Sequence, residues 1–127
     1  MSERSRRILL REMILDLHYR LRLADGLFCD AAESLVSAAA LEDWNSRSEA
    51  LRKIGAYSQA LRIIHQDRCR IMEGKRAVFP AELGEWVFEL PEGEAAARLH
   101  LERLHAIAGG LELVLDRELL KTELRHE

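Results

Sequence analysis

The sequence predicts an all-α protein, an up-and-down bundle of four main helices, and three observations carry that prediction. Leu, Ala, Arg and Glu dominate the composition, and all four are good helix formers. Apolar residues recur at steps of three and four along most of the chain, which is the helical period. The only prolines, Pro80 and Pro91, lie close together, so the rest of the chain lacks the strongest helix breaker. The 127 residues make one domain, residues 1–127, large enough to bury a core without disulfide or metal staples. With 48% hydrophobic and 32% charged residues the chain has the balance of a globular protein and not of a disordered one.

The first helix is expected from Ser5 to Ala24. Leu10, Met13, Leu17, Leu21 and Ala24 form one stripe, widened by Ile14. Asp25-Gly26 reads as its stop, since glycine accepts the left-handed cap conformation. A helix continuous through Gly26 is the alternative, because Leu27, Phe28, Ala31 and Leu35 keep the period. The second helix is expected from Asp30 to Asp43. Asp30 with Glu33 makes a capping-box-like start, and Leu35, Val36, Ala39 and Ala40 form the inner face.

The third helix starts at Ser46-Arg47-Ser48-Glu49, which fits a capping box. Leu51, Ile54, Tyr57, Leu61, Ile64 and Ile71 follow at helical spacing, and Gly74 ends the helix. Arg68 breaks this stripe, so it is expected to snorkel outward or pair with an acid. Residues 74–93 then hold both prolines together with Phe79, Trp86 and Phe88. That is too apolar for a solvated linker and predicts a connector folded over the bundle. The last helix runs from Glu92 to Arg125, with Ala97, Leu101, Leu104, Ala108, Leu111 and Leu115 as its stripe. Gly109-Gly110 lies inside it. Two interior glycines cost about 2 kcal/mol relative to alanine, so they mark either a break, giving five helices, or a close crossing with Ala106 and Gly110 as the small pair.

Charge alternates along the chain. Residues 1–24 carry +3, 25–50 carry −5, 51–76 carry +5, 77–97 carry −5 and 98–127 carry −1, for a total of −3. This favours sequential antiparallel packing, although each exposed pair contributes little. The net negative charge argues against a protein built to coat nucleic acid. The strong preference for Arg over Lys suggests a GC-rich bacterial genome. Cys29 and Cys69 sit in apolar-periodic stretches and are expected as reduced, buried thiols. Acidic and basic residues interrupt the apolar run near the start, and no stretch reaches the ~18 apolar residues of a membrane span. A cytoplasmic location is expected.

Motifs for chemistry are sparse. The Glu-x-x-His pairs Glu102–His105 and Glu123–His126 have a ligand spacing, but both lie in one C-terminal segment, so no metal and no cofactor is expected. His65 and Cys69 lack a second pair for zinc. Glycine-rich phosphate loops and the Gly-x-Ser-x-Gly elbow are missing from the sequence.

Arg98 and His105, six residues apart in between, resemble the Arg-x(4–6)-His motif of HEPN-type ribonucleases, which are small helical bundles. The resemblance implies that Arg98 would hold a phosphate and His105 would assist attack by a 2′-hydroxyl. Leu99 stands where that family usually has a polar residue. Arg62, Arg68 and Arg70 offer further nucleic-acid contacts in this alternative. The stretch Leu35–Ile54, with Glu42-Asp43-Trp44 and Glu49-Ala50-Leu51, is similar to the helix-turn-helix of small flagellar export chaperones.

The leading expectation is a non-enzymatic protein–protein interaction module: an adaptor, chaperone or regulator. Its partner is another protein, or a second copy joined through the last helix. Phe79, Trp86, Phe88 and Leu90 in the connector and Leu119 and Leu120 in the last helix are the expected contact residues, with Trp86 as an anchor. A small-ligand sensor with a pocket under Trp86 and Phe88 is the third possibility.

Overall fold

The computed structural model describes residues 2–41, 43–71 and 94–124. They form α1 (Glu3–Leu41), α2 (Trp44–Ile71) and α3 (Glu94–Leu124). Among the described residues there are three helices and not four, and no strand. The aromatic connector, with Phe79, Trp86, Phe88 and Leu90, lies outside the described residues.

The two helices expected before residue 43 are one. α1 continues through Gly26 for 39 residues, about 58 Å at 1.5 Å per residue. The reason is tertiary. Ile14, Leu17, Leu21, Ala24, Ala31 and Leu35 are all buried on one side of α1. Breaking at Gly26 would misalign the second half of this stripe. A mid-helix glycine costs about 1 kcal/mol, while burying one leucine contributes about 1.5–3 kcal/mol. The Asp30–Glu33 capping box therefore never forms, since both residues sit inside the helix.

Capping of α2 also differs from the expectation. Asp43, and not Ser46, is the cap: its carboxylate accepts from the Ser46 amide at 2.7 Å and from the Ser46 hydroxyl at 2.9 Å. Those hydrogen bonds hold the Asp43 carboxyl below its ordinary pKa. Glu49 does not reach back. It binds Arg52 at 2.6 Å instead, an exposed pair one turn on. At the other end of the chain, Ser2 caps α1 by accepting from the Ser5 amide at 3.1 Å. Gly109-Gly110 does not break α3, which is continuous for 31 residues.

The register is set by pairs between helices. Arg20 meets Asp67, and Phe28 meets Tyr57, so α1 and α2 are antiparallel. Arg11 meets Glu123, His18 meets Asp116 and Phe28 meets His105, so α1 and α3 are antiparallel too. It follows that α2 and α3 run in the same direction, and the order is not up-and-down. α1 is the central helix, packed along both others, while α2 and α3 touch sparingly. The core joins Leu17, Leu21 and Ala24 of α1 to Ile54, Tyr57 and Leu61 of α2 and to Leu104, Leu111 and Leu115 of α3.

Candidate functional site

Polar residues of α1 and α3 enclose one cleft. His18, Arg22 and Asp25 follow each other at steps of four and three, so they share one side of α1. His105, Gly109 and Glu112 do the same on α3, and the antiparallel register brings the two sets together. The cleft has a volume of about 320 Å³ and is closed below by Leu21 and Ala108. His18 Nε2 stands 3.2 Å from Asp116 Oδ1 at its edge. At the other edge the His105 ring lies on Phe28, with centroids 4.0 Å apart and planes at 16°.

Phe28 in turn packs against Tyr57, with centroids 5.7 Å apart. This makes a row of three rings, one from each helix. Tyr57 is fully buried, and its hydroxyl has no hydrogen-bond partner among the described residues. Burial raises the Tyr57 phenol far above its ordinary pKa, with the nearby Asp25 and Cys29 charges adding to the effect. It stays neutral.

A second polar contact spans α1 and α2. Arg20 binds Asp67 at 2.8 Å in a partly buried pair. Two apolar hollows of about 420 Å³ each flank it: Leu9, Met13, Leu17 and Ile71 line one, and Leu23, Leu27, Ala60 and Ile63 line the other.

Residues proposed from sequence for nucleic acid do not converge on one surface. Arg68 is only 3% exposed, on the same buried side of α2 as Leu61 and Ile64; it does not snorkel outward. Arg70 pairs with Asp67 at 3.4 Å on its own helix. Arg62 is half-buried and Arg98 is exposed. Arg98 and His105 are two turns apart on one side of α3, but His105 is engaged with Phe28. Of the expected protein-contact residues on α3, Leu119 packs against the core and Leu120 is exposed.

Both cysteines are free and exposed, which corrects the expectation of buried thiols. The buried side of α1 passes through Phe28 and Ala31 and leaves Cys29 turned away. Cys69 lies 3.8 Å from His65 Nε2. Among the described residues no three His, Cys, Asp or Glu side chains converge in a way that could hold a metal ion. No described helix is long and apolar enough to cross a membrane.

The sequence reading missed the His18–Asp116 pair and the His18–Arg22–Asp25 row. Their i, i+4, i+7 spacing was visible, but a polar row at helical spacing is normally just a solvated face. What distinguishes it is the facing row on α3, 80 to 94 residues away in the chain. No protein-family model, curated protein or solved structure matches this chain.

Proposed function

We propose that the chain is a non-enzymatic protein–protein interaction module, an adaptor or regulator, that binds through outward helix faces. The observation that carries this is a second apolar stripe on α1. Ile8, Leu15, Tyr19 and Leu23 follow at steps of seven, four and four, on the side opposite the buried stripe, and all four are exposed, Tyr19 by 58%. A helix that only served its own core would be polar there. Single exposed apolar residues mean little, but Leu15, Tyr19 and Leu23 on consecutive turns, with Ile8 two turns before Leu15 and only Glu12 between, mark a contact surface.

The charges beside the stripe describe its partner. Arg4 and Arg22 border it on the side of α3 and Asp16 on the side of α2, while Glu12 stands within it between Ile8 and Leu15. The fitting partner is an amphipathic helix of another protein, with an apolar row flanked by opposite charges.

A photo-reactive amino acid at position 19 tests this in cells. One discrete crosslinked protein, lost when Leu15→Asp and Leu23→Asp are added, is the expected outcome. Crosslinks that are absent, or unchanged by the aspartates, would remove the basis for the reading.

A second reading rests on the α1–α3 cleft. His18 beside Asp116, Arg22 and His105 line one space, and a pair of histidines with an arginine is a set that could bind and cleave a phosphodiester. RNA cleavage lost on His18→Ala and His105→Ala would favour that reading over the first. Absence of cleavage by the intact chain would dismiss it.

A further inference from the structure

α3 also carries a second stripe, and its pattern repeats with the strict period of seven. Leu99, Ala106, Leu113 and Leu120 recur every seven residues on the side away from the core, all exposed, Leu113 by 60%. Three residues after each stand Glu102, Gly109, Asp116 and Glu123. Four residues after the first three stand Arg103, Gly110 and Arg117. An acidic flank and a basic flank thus border one apolar row, with two glycines at its middle.

We infer that this face binds a second copy of the chain, α3 against α3, side by side and parallel. The inference rests on the protein-contact reading above and names the partner for a different face. Symmetry chooses the orientation. In an antiparallel pair each flank meets itself, so Glu102 would face Asp116 and Arg103 would face Arg117, like against like. In a parallel pair the acidic flank of one copy meets the basic flank of the other at the same height. Glu102 then faces Arg103 of the second copy on both sides of the axis, and Asp116, which meets His18 of its own chain but is 57% exposed, faces Arg117. Flanking charges of this kind set orientation in paired helices.

The glycines fit the same arrangement. A Cβ built at Gly109 would meet nothing within 4 Å, so the chain's own packing does not require glycine there. In the pair, Gly109 of one copy meets Gly110 of the other beside Ala106, where missing side chains let two helix backbones approach closely.

Sedimentation velocity at low salt tests the proposal with the full chain. The 14.6 kDa monomer should pass to twice that mass as concentration rises, and Leu113→Asp should abolish the change. Glu102→Arg places like charges across both sides of the axis and should weaken association about five- to tenfold. Adding Arg103→Glu exchanges the two flanks at that level and should restore it. Tighter association on Glu102→Arg alone would mean an antiparallel pair and overturn the inference. So would a monomer up to about 200 µM, a concentration that even a weak specific dimer would reach. If self-association fails while the crosslink from position 19 remains, only this inference falls and the interaction-module reading stands.

Discussion

The His105 ring lies flat on Phe28, with centroids 4.0 Å apart, and this contact ties α3 to the centre of α1. Because Phe28 also touches Tyr57, a single side chain couples all three helices. Phe28→Ala should therefore destabilise the whole fold by about 2–4 kcal/mol, somewhat less than a fully buried phenylalanine because Phe28 is partly buried against the core. Phe28→Leu should lose less than half of that. Urea denaturation followed by circular dichroism measures both. Equal effects of the two changes would show that the ring contacts, and not apolar volume, carry the whole contribution of Phe28.

Gly26 and Gly55 lie inside continuous helices, and a Cβ at either would meet nothing within 4 Å. Gly26→Ala and Gly55→Ala should each stabilise the protein by about 0.5–1 kcal/mol through helix propensity and a less flexible unfolded chain. Thermal melts of the two variants should show a higher Tm. A lower Tm for Gly26→Ala would mean that α1 bends or breaks at that position.

His65 and His100 both have pKa values below the ordinary histidine range. Burial is the main cause for each, followed by the positive charge of Arg68 for His65 and of Arg103 for His100. The unfolded chain takes up protons near pH 6.5, whereas the folded chain resists them. Stability is thus unaffected well above that pH and declines as pH falls through it, until the folded histidines protonate as well. The midpoint of urea unfolding should be lower at pH 5.5 than at pH 7.5. The double variant His65→Gln/His100→Gln should flatten that slope, and an unchanged slope would assign it to other groups.

The Arg20–Asp67 pair is partly buried at 2.8 Å, with hollows on both sides. A double-mutant cycle with Arg20→Met and Asp67→Asn should give a coupling of about 1 kcal/mol, at the upper end for pairs that keep some solvent contact. The coupling should shrink in high salt. A value near zero would make the register of α1 and α2 a matter of apolar packing alone.

Cys29 and Cys69 are exposed, so both should react with a water-soluble thiol reagent without denaturant. Two fast equivalents are expected in a stopped-flow trace. A thiol that reacts only after unfolding would be a buried one.

Much of the fold was legible along the chain because helices are local. The core stripe of α1 through Leu17, Leu21 and Ala24, that of α2 through Ile54, Tyr57, Leu61 and Ile64, and that of α3 through Ala97, Leu101, Leu104, Leu111 and Leu115 are all buried as their spacing predicts. Composition and period suffice for this, since one apolar side per helix must be hidden whatever covers it.

Helix ends and topology were not legible in the same way. Gly26 and Gly109-Gly110 are local stop signals, yet the helices run through them, because burial of Leu35 or Leu115 on an unbroken stripe outweighs a local cost of about 1 kcal/mol per glycine. Asp43 displaced Ser46 as the cap of α2 through a competition between neighbouring side chains that the pattern alone leaves undecided. The cleft depended on the tertiary structure altogether. His18, Arg22 and Asp25 read as a solvated row until the antiparallel packing of α1 on α3 places Glu112, Asp116 and His105 opposite them. Period fixes which side of a helix is apolar; only packing decides which polar sides meet.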